Sequence, residues 1–327
     1  MTQARGSSIR FMIAEEASWG VTPSAPVGQV FPVLSCGLKA SRNQIQSAAL
    51  RSNRQPLMPG DGNWDVSGSV AMELHPMGMG TLLKHALGAD TVTGTASPYT
   101  HTIKAAGSLP AGLSIEKGMT DIAKYFKYTG CKVNQIVLSA PVEGIVTVTF
   151  DFIGKDETVA GTSMDATPVT YAYSPFTGFE GMVKVGGSQV GYITSYDNIT
   201  LLNNLDGSIY TFPGAAQSAG YKRSLPEGKI IVTGSFSYMF ENTTIYDFAK
   251  NSTEKALDLI FTKGTGAGTT GNEKLTITIP EVHFKPESPE ISGDQGIIGK
   301  ADFTAYYDNA SEATSLQMVL LNSQATI

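Results

Sequence analysis

The sequence is poor in the residues that build most redox, metal and membrane sites. Only two of its 327 residues are cysteine, two are tryptophan and four are histidine. Cys36 and Cys131 stand at unrelated positions in the two halves, which is typical of free thiols in a reducing compartment. No stretch approaches the roughly 20 apolar residues of a membrane span, and residues 1–20 lack the apolar core of a signal peptide. We therefore expect a protein made in the cytoplasm, with no membrane segment.

Charge is also scarce. Charged residues make up 16% of the chain, and the formal net charge at pH 7 is −6. A surface with a net negative charge does not attract nucleic acids or anionic membranes. The composition therefore argues against tight binding of DNA or RNA.

Motifs that indicate catalysis or cofactor binding are missing. The histidines show no metal-ligand spacing, and neither a Gly-x-Ser-x-Gly elbow nor a Cys-x-x-Cys pair occurs. Residues Gly266 to Gly271 match a dinucleotide-binding fingerprint, but the strand pattern Leu275 to Ile279 follows where a helix is required. We predict a hairpin loop there, no catalytic, metal or cofactor site, and a protein that is not an enzyme.

What the chain does contain favours sheets. It has 35 glycines, many serines, threonines and valines, and an apolar share of 41%, enough for a sizeable core. At a typical domain size of roughly 150 residues, the length fits two domains. The composition predicts a mainly β protein of two domains.

The two halves resemble each other. The segment Val66 to Val70 (VSGSV) recurs as Val232 to Phe236 (VTGSF), and at the same spacing Lys84 falls on Lys250. A second block aligns Val148 to Phe152 with Phe303 to Tyr307. These matches predict a first domain of residues 1–165 and a second of residues 166–327, an internal repeat of the first. The segment from Lys155 to Pro175, poor in large aliphatic residues, is the expected linker.

Alternating side chains in these blocks predict strands with one buried and one polar face. A helix is expected after the first long strand of each half, from Pro76 to Leu87 and from Thr243 to Lys250. Gly88 suits the C-terminal cap of the first helix. An apolar stripe on that helix should pack against the sheet, and it consists of Met79, Leu82, Leu83 and Ala86.

Two long excursions interrupt the strand pattern, from Arg51 to Asn63 and from Asn203 to Gly228. Long ordered loops in a compact domain are usually functional. We expect both to contact a partner.

The order of these features resembles the tail tube proteins of long-tailed bacteriophages, in the large two-domain form. The opening Ala14 to Pro23 is similar to the Glu-x-x-x-Gly-x-x-Pro opening of that family. The run Ser108 to Gly118, followed by Tyr128 to Asn134 and a strand, also resembles it. The likeness covers nearly the whole chain.

The resemblance implies a fold and a function. It implies two tandem tube-type β-sandwich domains, each with a short flanking helix, that join into a closed β-barrel ring on oligomerisation. Three copies would supply the six domains of a ring, and stacked rings would form the conduit for genome ejection. The implied location is the virion tail. The implied partners are further copies of the chain, a tail-tip or baseplate initiator, a tape measure protein, a tail terminator and a chaperone, while genomic DNA passes through without specific binding.

A conduit must let a polyanion slide, so its wall should lack cations. Candidates for the lumen lining are the polar residues of the alternating strands. They are Asp65, Ser67, Ser69, Glu73, Thr147, Thr149, Asp151, Thr233, Ser235, Ser237, Asp302 and Thr304. Lys300 is the one lysine expected on these strand faces. The alternative, which the sequence leaves open, is that one of these faces is the solvated outside of the protein.

Candidates for contacts between stacked rings lie in the N-terminal arm and the two excursions. They are Arg51, Arg54, Asp61, Asn203 and Asp206. The arginines would pair with acids of the next ring, although exposed arginines are often merely solvated.

Two other functions fit the same features. A baseplate hub, a distal tail protein or a tube from a contractile machine would share the domain fold. A tandem β-sandwich binding module is the alternative from another class, but it would require exposed aromatic platforms, and Trp19 and Trp64 do not cluster.

Overall fold

The computed structural model describes residues 3–212, 220–291, 293–307 and 312–327. Its first eleven strands are β1 (Ile9–Glu15), β2 (Gln29–Phe31), β3 (Ser35–Cys36), β4 (Lys39–Ile45), β5 (Gly60–Glu73), β6 (Gly88–Thr93), β7 (Tyr99–Ala105), β8 (Leu113–Met119), β9 (Lys124–Pro141), β10 (Thr147–Gly154) and β11 (Asp156–Ala160). The others are β12 (Val169–Thr170), β13 (Gly181–Val185), β14 (Ser188–Gln189), β15 (Ile193–Leu202), β16 (Ile231–Met239), β17 (Lys255–Thr262), β18 (Lys274–Phe284), β19 (Ile298–Ala305) and β20 (Gln317–Asn322). The α-helices are α1 (Met79–Leu87) and α2 (Thr244–Lys250), and the short 3₁₀ turns are Gly6–Ser8 and Gly178–Glu180.

The strands form one central sheet and two side sheets. The central sheet runs in the order β4, β5, β10, β9, β15, β16, β19, β18, with the short β3 also beside β5. The first side sheet runs β12, β2, β1, β8, β9, β11. The second runs β14, β13, β17, β18, β20, β7, β6. The fold is mainly β, as the composition predicts.

Two long strands connect the central sheet to the side sheets. The first part of β9 pairs with β8 and β11, and from Lys132 onward it pairs with β10. In the same way the first part of β18 pairs with β17 and β20, and its last residues, Val282 to Phe284, pair with β19. Each of these strands therefore belongs to two sheets.

The same order of pairing recurs along the chain. The series β1, β8, β9, β10, β5 of the first half has a counterpart in β13, β17, β18, β19, β16. The division at residue 165 and the origin of the second half as a repeat stay predictions.

The register corrects one part of the alignment between the halves. Gly68 pairs with Phe152, and Gly234 pairs with Phe303, so Phe303 corresponds to Phe152 rather than to Val148. The alignment of Val148–Phe152 with Phe303–Tyr307 is therefore wrong by four residues. A shift by an even number of residues leaves the alternation of a strand unchanged, so the hydrophobic pattern alone does not detect it.

Alternation explains why these segments become half-buried strands. On β10 the side chains of Val148, Phe150 and Phe152 are buried, while Thr149 and Asp151 between them are half-buried on the other face. On β5, Val66, Val70 and Met72 are buried in the same way. Residues i and i+2 of a strand share a face, so one face of the central sheet joins the apolar core.

The helices lie close to their predicted positions. In α1 the stripe Met79, Leu82, Leu83 and Ala86 is buried, as predicted, and α1 packs against β7 and β9. Gly88 is its C-cap and Thr243 the N-cap of α2, as predicted. The predicted start at Pro76 is wrong, because Gly78 with φ of 80° is the N-cap. Two bulky neighbours, Tyr171 and Phe31, lie within 3.3 Å of the place where a Cβ of Gly78 would be.

The expected linker is part of the folded first half. β11 pairs with β9, and β12 pairs with β2 in parallel. The Asp165 carboxylate accepts a hydrogen bond of 2.8 Å from the Gly28 N–H. Lys155 to Pro175 is thus not a free linker, because its backbone supplies edge strands to the first side sheet.

The remaining local predictions concern loops and thiols. The glycine run 266–271 lies in the connection between antiparallel β17 and β18, which confirms the hairpin loop. Cys36 and Cys131 are free thiols, as expected. In the described part of the chain, no helix has the length and apolar character needed to span a membrane.

Gly68 permits a close approach of the chain between β3 and β4 to β5. Its φ is 151°, and a Cβ there would lie 2.3 Å from the Gly37 carbonyl oxygen. L-residues rarely adopt this φ, and the Gly37 carbonyl belongs to the backbone and cannot rotate away.

We therefore expect Gly68→Ala to lower the free energy of unfolding by about 2–4 kcal/mol, measured by urea denaturation. Gly107→Ala is the control, because no atom lies within 4 Å of a Cβ at that position. Equal unfolding midpoints for the two variants would contradict this explanation.

Candidate assembly surfaces

The central sheet presents a continuous face opposite the core, on which polar side chains are in the majority and which we call the polar face. A row of directly paired residues crosses seven of its strands. From β5 to β18 the row reads Ala71, Thr149, Val137, Thr200, Thr233, Thr304 and His283. Residues directly opposite each other share a face. One surface therefore spans both halves of the chain.

All twelve lumen candidates lie on the strands of the central sheet. Asp65 to Glu73 are on β5, Thr147 to Asp151 on β10, Thr233 to Ser237 on β16, and Asp302 and Thr304 on β19. Register brings several together: Asp151 is opposite Ser69, and Ser235 is opposite Asp302. All are exposed or half-buried except Ser235, which is 7% exposed.

Residues of β9 and β15 also belong to this face. Gln135, Val137 and Ser139 stand opposite Asp151, Thr149 and Thr147. The sequence pattern did not identify these three residues of β9 as candidates for the lumen lining. The alternation of Gln135, Val137 and Ser139 with buried Ile136 and Leu138 is visible in the sequence. Val137 interrupts the polar register there, which weakens the signal.

The face is not free of cations. Lys39 on β4 is opposite Ser67, and Lys132 on β9 is opposite Ile153. The expectation of a lining without cations therefore fails on these neighbouring strands. Acids offset most of this charge, because Lys132 Nζ lies 2.6 Å from Glu227 and Lys300 Nζ lies 3.4 Å from Asp302. Burial also raises the pKa of the Asp151 carboxyl above its ordinary value.

The junction between the two halves is a pair of antiparallel strands. β9 and β15 pair from Gln135–Leu202 to Pro141–Ser195, with one register shift. At the ends of the central sheet, in the described part of the chain, β4 pairs with β5 alone, and His283 and Phe284 pair with β19 alone. The sheet therefore ends in two open edges.

The second excursion folds back onto the first half. The Trp64 N–H donates to the Gly220 carbonyl at 2.7 Å, and the Tyr210 hydroxyl donates to the Trp64 carbonyl at 2.9 Å. The Tyr221 ring stacks on Trp64, with centroids 6.4 Å apart. This segment thus fills the place beside β5 beyond the end of β10.

Lys222 anchors the same segment. Its side chain is 1% exposed, forms an ion pair with Asp65 and lies over the Tyr210 ring at 5.7 Å. Burial raises the pKa of Asp65, but the hydrogen bonds from Lys222 and Ser67 outweigh this effect and hold the pKa below its ordinary 3.8. A buried ammonium needs such a partner, because an unpaired charge in the interior is costly.

Two of the candidates for contacts between stacked rings, Asn203 and Asp206, lie in this segment, and the structure corrects the expectation for Asn203. Asn203 is buried, and its amide donates at 2.9 Å to the carbonyls of Ala86 and Val133. It is therefore occupied within the chain and is not available to a neighbouring ring. Asp206 is exposed and accepts from the N–H and hydroxyl of Ser208. The part of the excursion at residues 213–219 lies outside the described residues.

The first excursion begins and ends earlier in the chain than predicted. Gly60 to Asn63 belong to β5, where Asp61 pairs with Arg42 at 2.9 Å. Residues 46–59 connect β4 to β5. They are exposed except for half-buried Pro59, and they include Arg51 and Arg54. Arg51 donates to the Gln55 carbonyl within the same loop.

The N-terminal segment is no free arm in the described residues. It enters the 3₁₀ turn at Gly6 and then β1, which pairs with β8. The opening motif is held by Glu16, which is 5% exposed. Its carboxylate accepts hydrogen bonds from the Gly20 and Gly130 N–H groups at 2.6 and 2.9 Å and from the Ser114 hydroxyl. The Glu-x-x-x-Gly motif therefore ties the turn after β1 to β8 and β9.

Among the described residues, no group of three or more His, Cys, Asp or Glu side chains is arranged to hold a metal ion. Hydroxyls and paired ions predominate on the polar face, so it can form hydrogen bonds and balance charge.

We expect Lys222→Met to lower the free energy of unfolding by about 1–2 kcal/mol, because the excursion loses its anchor while half-exposed Asp65 regains water. Urea denaturation of this variant and of exposed Lys250→Met provides the comparison. Asp65 has a lowered pKa in the folded state, so its contribution is present above pH 3.8 and is lost as the pH falls below it. A stability difference between wild type and Lys222→Met that grew on acidification would contradict the ion pair.

Comparison with known proteins agrees with the resemblance in the sequence. The family model described as phage tail tube protein matches residues 6–305. No curated protein matches the chain. The match covers every strand of the central sheet. The chain belongs to the phage tail tube protein family.

Proposed function

We propose that three copies of this chain close into a pseudo-hexameric ring, and that stacked rings form the tail tube through which the genome is ejected. Membership in the family implies a structural role in the virion tail, without catalysis, and assembly from copies of the same subunit. The proposal adds the number of copies, the geometry of closure and the passage of DNA.

The main support for the proposal is that the two strands at the open edges correspond to the two strands that pair at the internal junction. β15 pairs with β16 as β4 pairs with β5, and β9 pairs with β10 as β18 pairs with β19. The internal junction joins β9 to β15. The open edges are thus the counterparts of the two strands that already pair inside the chain, so β18 of one copy can receive β4 of the next.

Closure removes the edges that would otherwise support open-ended pairing. Each interface joins two different edges, so it is heterologous, and such interfaces form rings when the rotation closes. Each chain contributes two halves, so three copies supply the six units of a six-fold ring.

The polar face is the surface that suits a lumen. Hydroxyl groups and paired ions offer DNA no row of unpaired cations, and phosphate contacts would slow its passage. The core face is unavailable, because it carries buried Val66, Phe150 and Phe236. The tape measure protein, a tip initiator and a terminator are partners proposed with the tube.

We expect purified protein to form hollow tubes, or rings with the mass of three chains, as its concentration rises. Negative-stain electron microscopy and light scattering across a concentration series provide the measurement. A ring of another copy number would refute the trimer. A monomer that persists even with tail-tip components would favour the tandem binding module.

A cysteine scan tests the lumen assignment in assembled tubes. In a Cys36→Ser background, Thr149→Cys should react with a small maleimide but slowly with a maleimide on a long polyethylene glycol chain. Val159→Cys, exposed on β11, is the control that should react with both. Equal rates with the large reagent at both positions would place Thr149 outside the lumen.

A further inference from the structure

The second half has an open cleft where the first half is filled. The last pair of β5 and β10 is Val66–Gly154, and that of β16 and β19 is Val232–Ala305, so Ile230 corresponds to Trp64. Beside Trp64 lies the segment around Gly220. Beside Ile230 lies a cleft of about 690 Å³ whose apolar lining includes Ala105, Leu109, Ile230, Ala305, Tyr306 and Tyr307.

The segment that fills the site on the first half has a counterpart in sequence order. Residues 203–230 connect β15 to β16, and residues 46–59 connect β4 to β5. The first connection docks on the neighbouring half, whereas the second is exposed. Its apolar side chains Leu50, Leu57 and Met58 are 102%, 48% and 92% exposed. Exposed apolar side chains grouped in one loop are typical of an interaction site.

We propose that the loop 46–59 of one copy occupies this cleft on a second copy in the same ring, with Leu57 and Met58 as its apolar anchors. The inference rests on the proposed ring: when β4 pairs beside β18 as β15 pairs beside β9, the following connection reaches the next half. Arg51 and Arg54 then act between neighbours within a ring rather than between stacked rings.

Disulfide trapping tests the contact. Met58→Cys and Tyr307→Cys are combined in the Cys36→Ser background, and Cys131 stays because it is fully buried. Assembled protein is oxidised with copper phenanthroline, which takes two electrons from the thiol pair as two protons leave and the S–S bond forms. We expect covalent products that end at three chains on a denaturing gel, since a closed ring contains no fourth neighbour. The single-cysteine variants and the pair Val159→Cys with Tyr307→Cys are the controls and should stay monomeric on the gel.

The outcomes separate the inference from the ring itself. A ladder that continues beyond three chains would place the contact between rings, and tubes without cross-links would refute the contact altogether. Absence of rings in the Cys36→Ser parent would overturn the ring and the inference together.

A second variant measures the anchors. Met58→Asp should raise the concentration at which rings form at least about tenfold, because an apolar anchor in a largely apolar cleft is replaced by a charge. Val159→Asp places the same charge at an exposed apolar position away from the cleft and should leave that concentration unchanged. Equal assembly of the two variants would refute the anchor role of Met58.

Discussion

Backbone N–H and C=O groups at the edge of a sheet need partners. In the described part of the chain, the central sheet leaves two edges with a neighbour on one side only, β4 and the end of β18 at His283 and Phe284. The same constraint has already been met once inside the chain, where β9 and β15 join the two halves. A row of paired residues therefore runs from Ala71 to His283 without interruption. The continuity of the polar face, the placement of the loops and the option of closing a ring all depend on this junction.

The polar face is rich in hydroxyl groups, and several of its charged side chains form ion pairs. Two of its lysines are placed next to acids, Lys132 beside Glu227 and Lys300 beside Asp302, so the fields of these two are short-ranged. Among the described residues Asp151 has no such cation, and burial raises its pKa because the carboxylate loses hydration between the strands. Hydroxyl groups make up much of this surface. That character follows from pairing across strands, which the composition of a single strand does not reveal.

Much of the fold was predictable from local pattern. Alternation on β5, β10 and β16 identified the buried and polar faces, because the period of two is a direct consequence of strand geometry. Cap residues located α2 and the end of α1. The same period explains the main error, since a shift of the second block from Phe152 to Val148 keeps every side chain on its face.

Contacts between distant segments were not predictable. Asn203 reads as an exposed loop residue, yet it is buried because two backbone carbonyls, of Ala86 and Val133, need a donor there. The linker expectation failed for a similar reason, since β11 and β12 are short and polar, and only their partners β9 and β2 make them strands. Glu16 was noted as part of a motif, but its three hydrogen bonds depend on β8 and β9.

In the proposed ring, the difference between the two halves leaves one loop of each copy for a neighbouring copy. If both strand connections docked within the chain, each copy would satisfy itself and offer no loop to a neighbour. In this protein one connection, 203–230, is used internally, and its counterpart, 46–59, stays exposed beside an open edge. Each copy therefore presents the edge strand β4 with the loop 46–59 at one end, and the edge strand β18 with the cleft at the other. Such a surface pairs head to tail, and head-to-tail contacts form a ring when the rotation between copies closes.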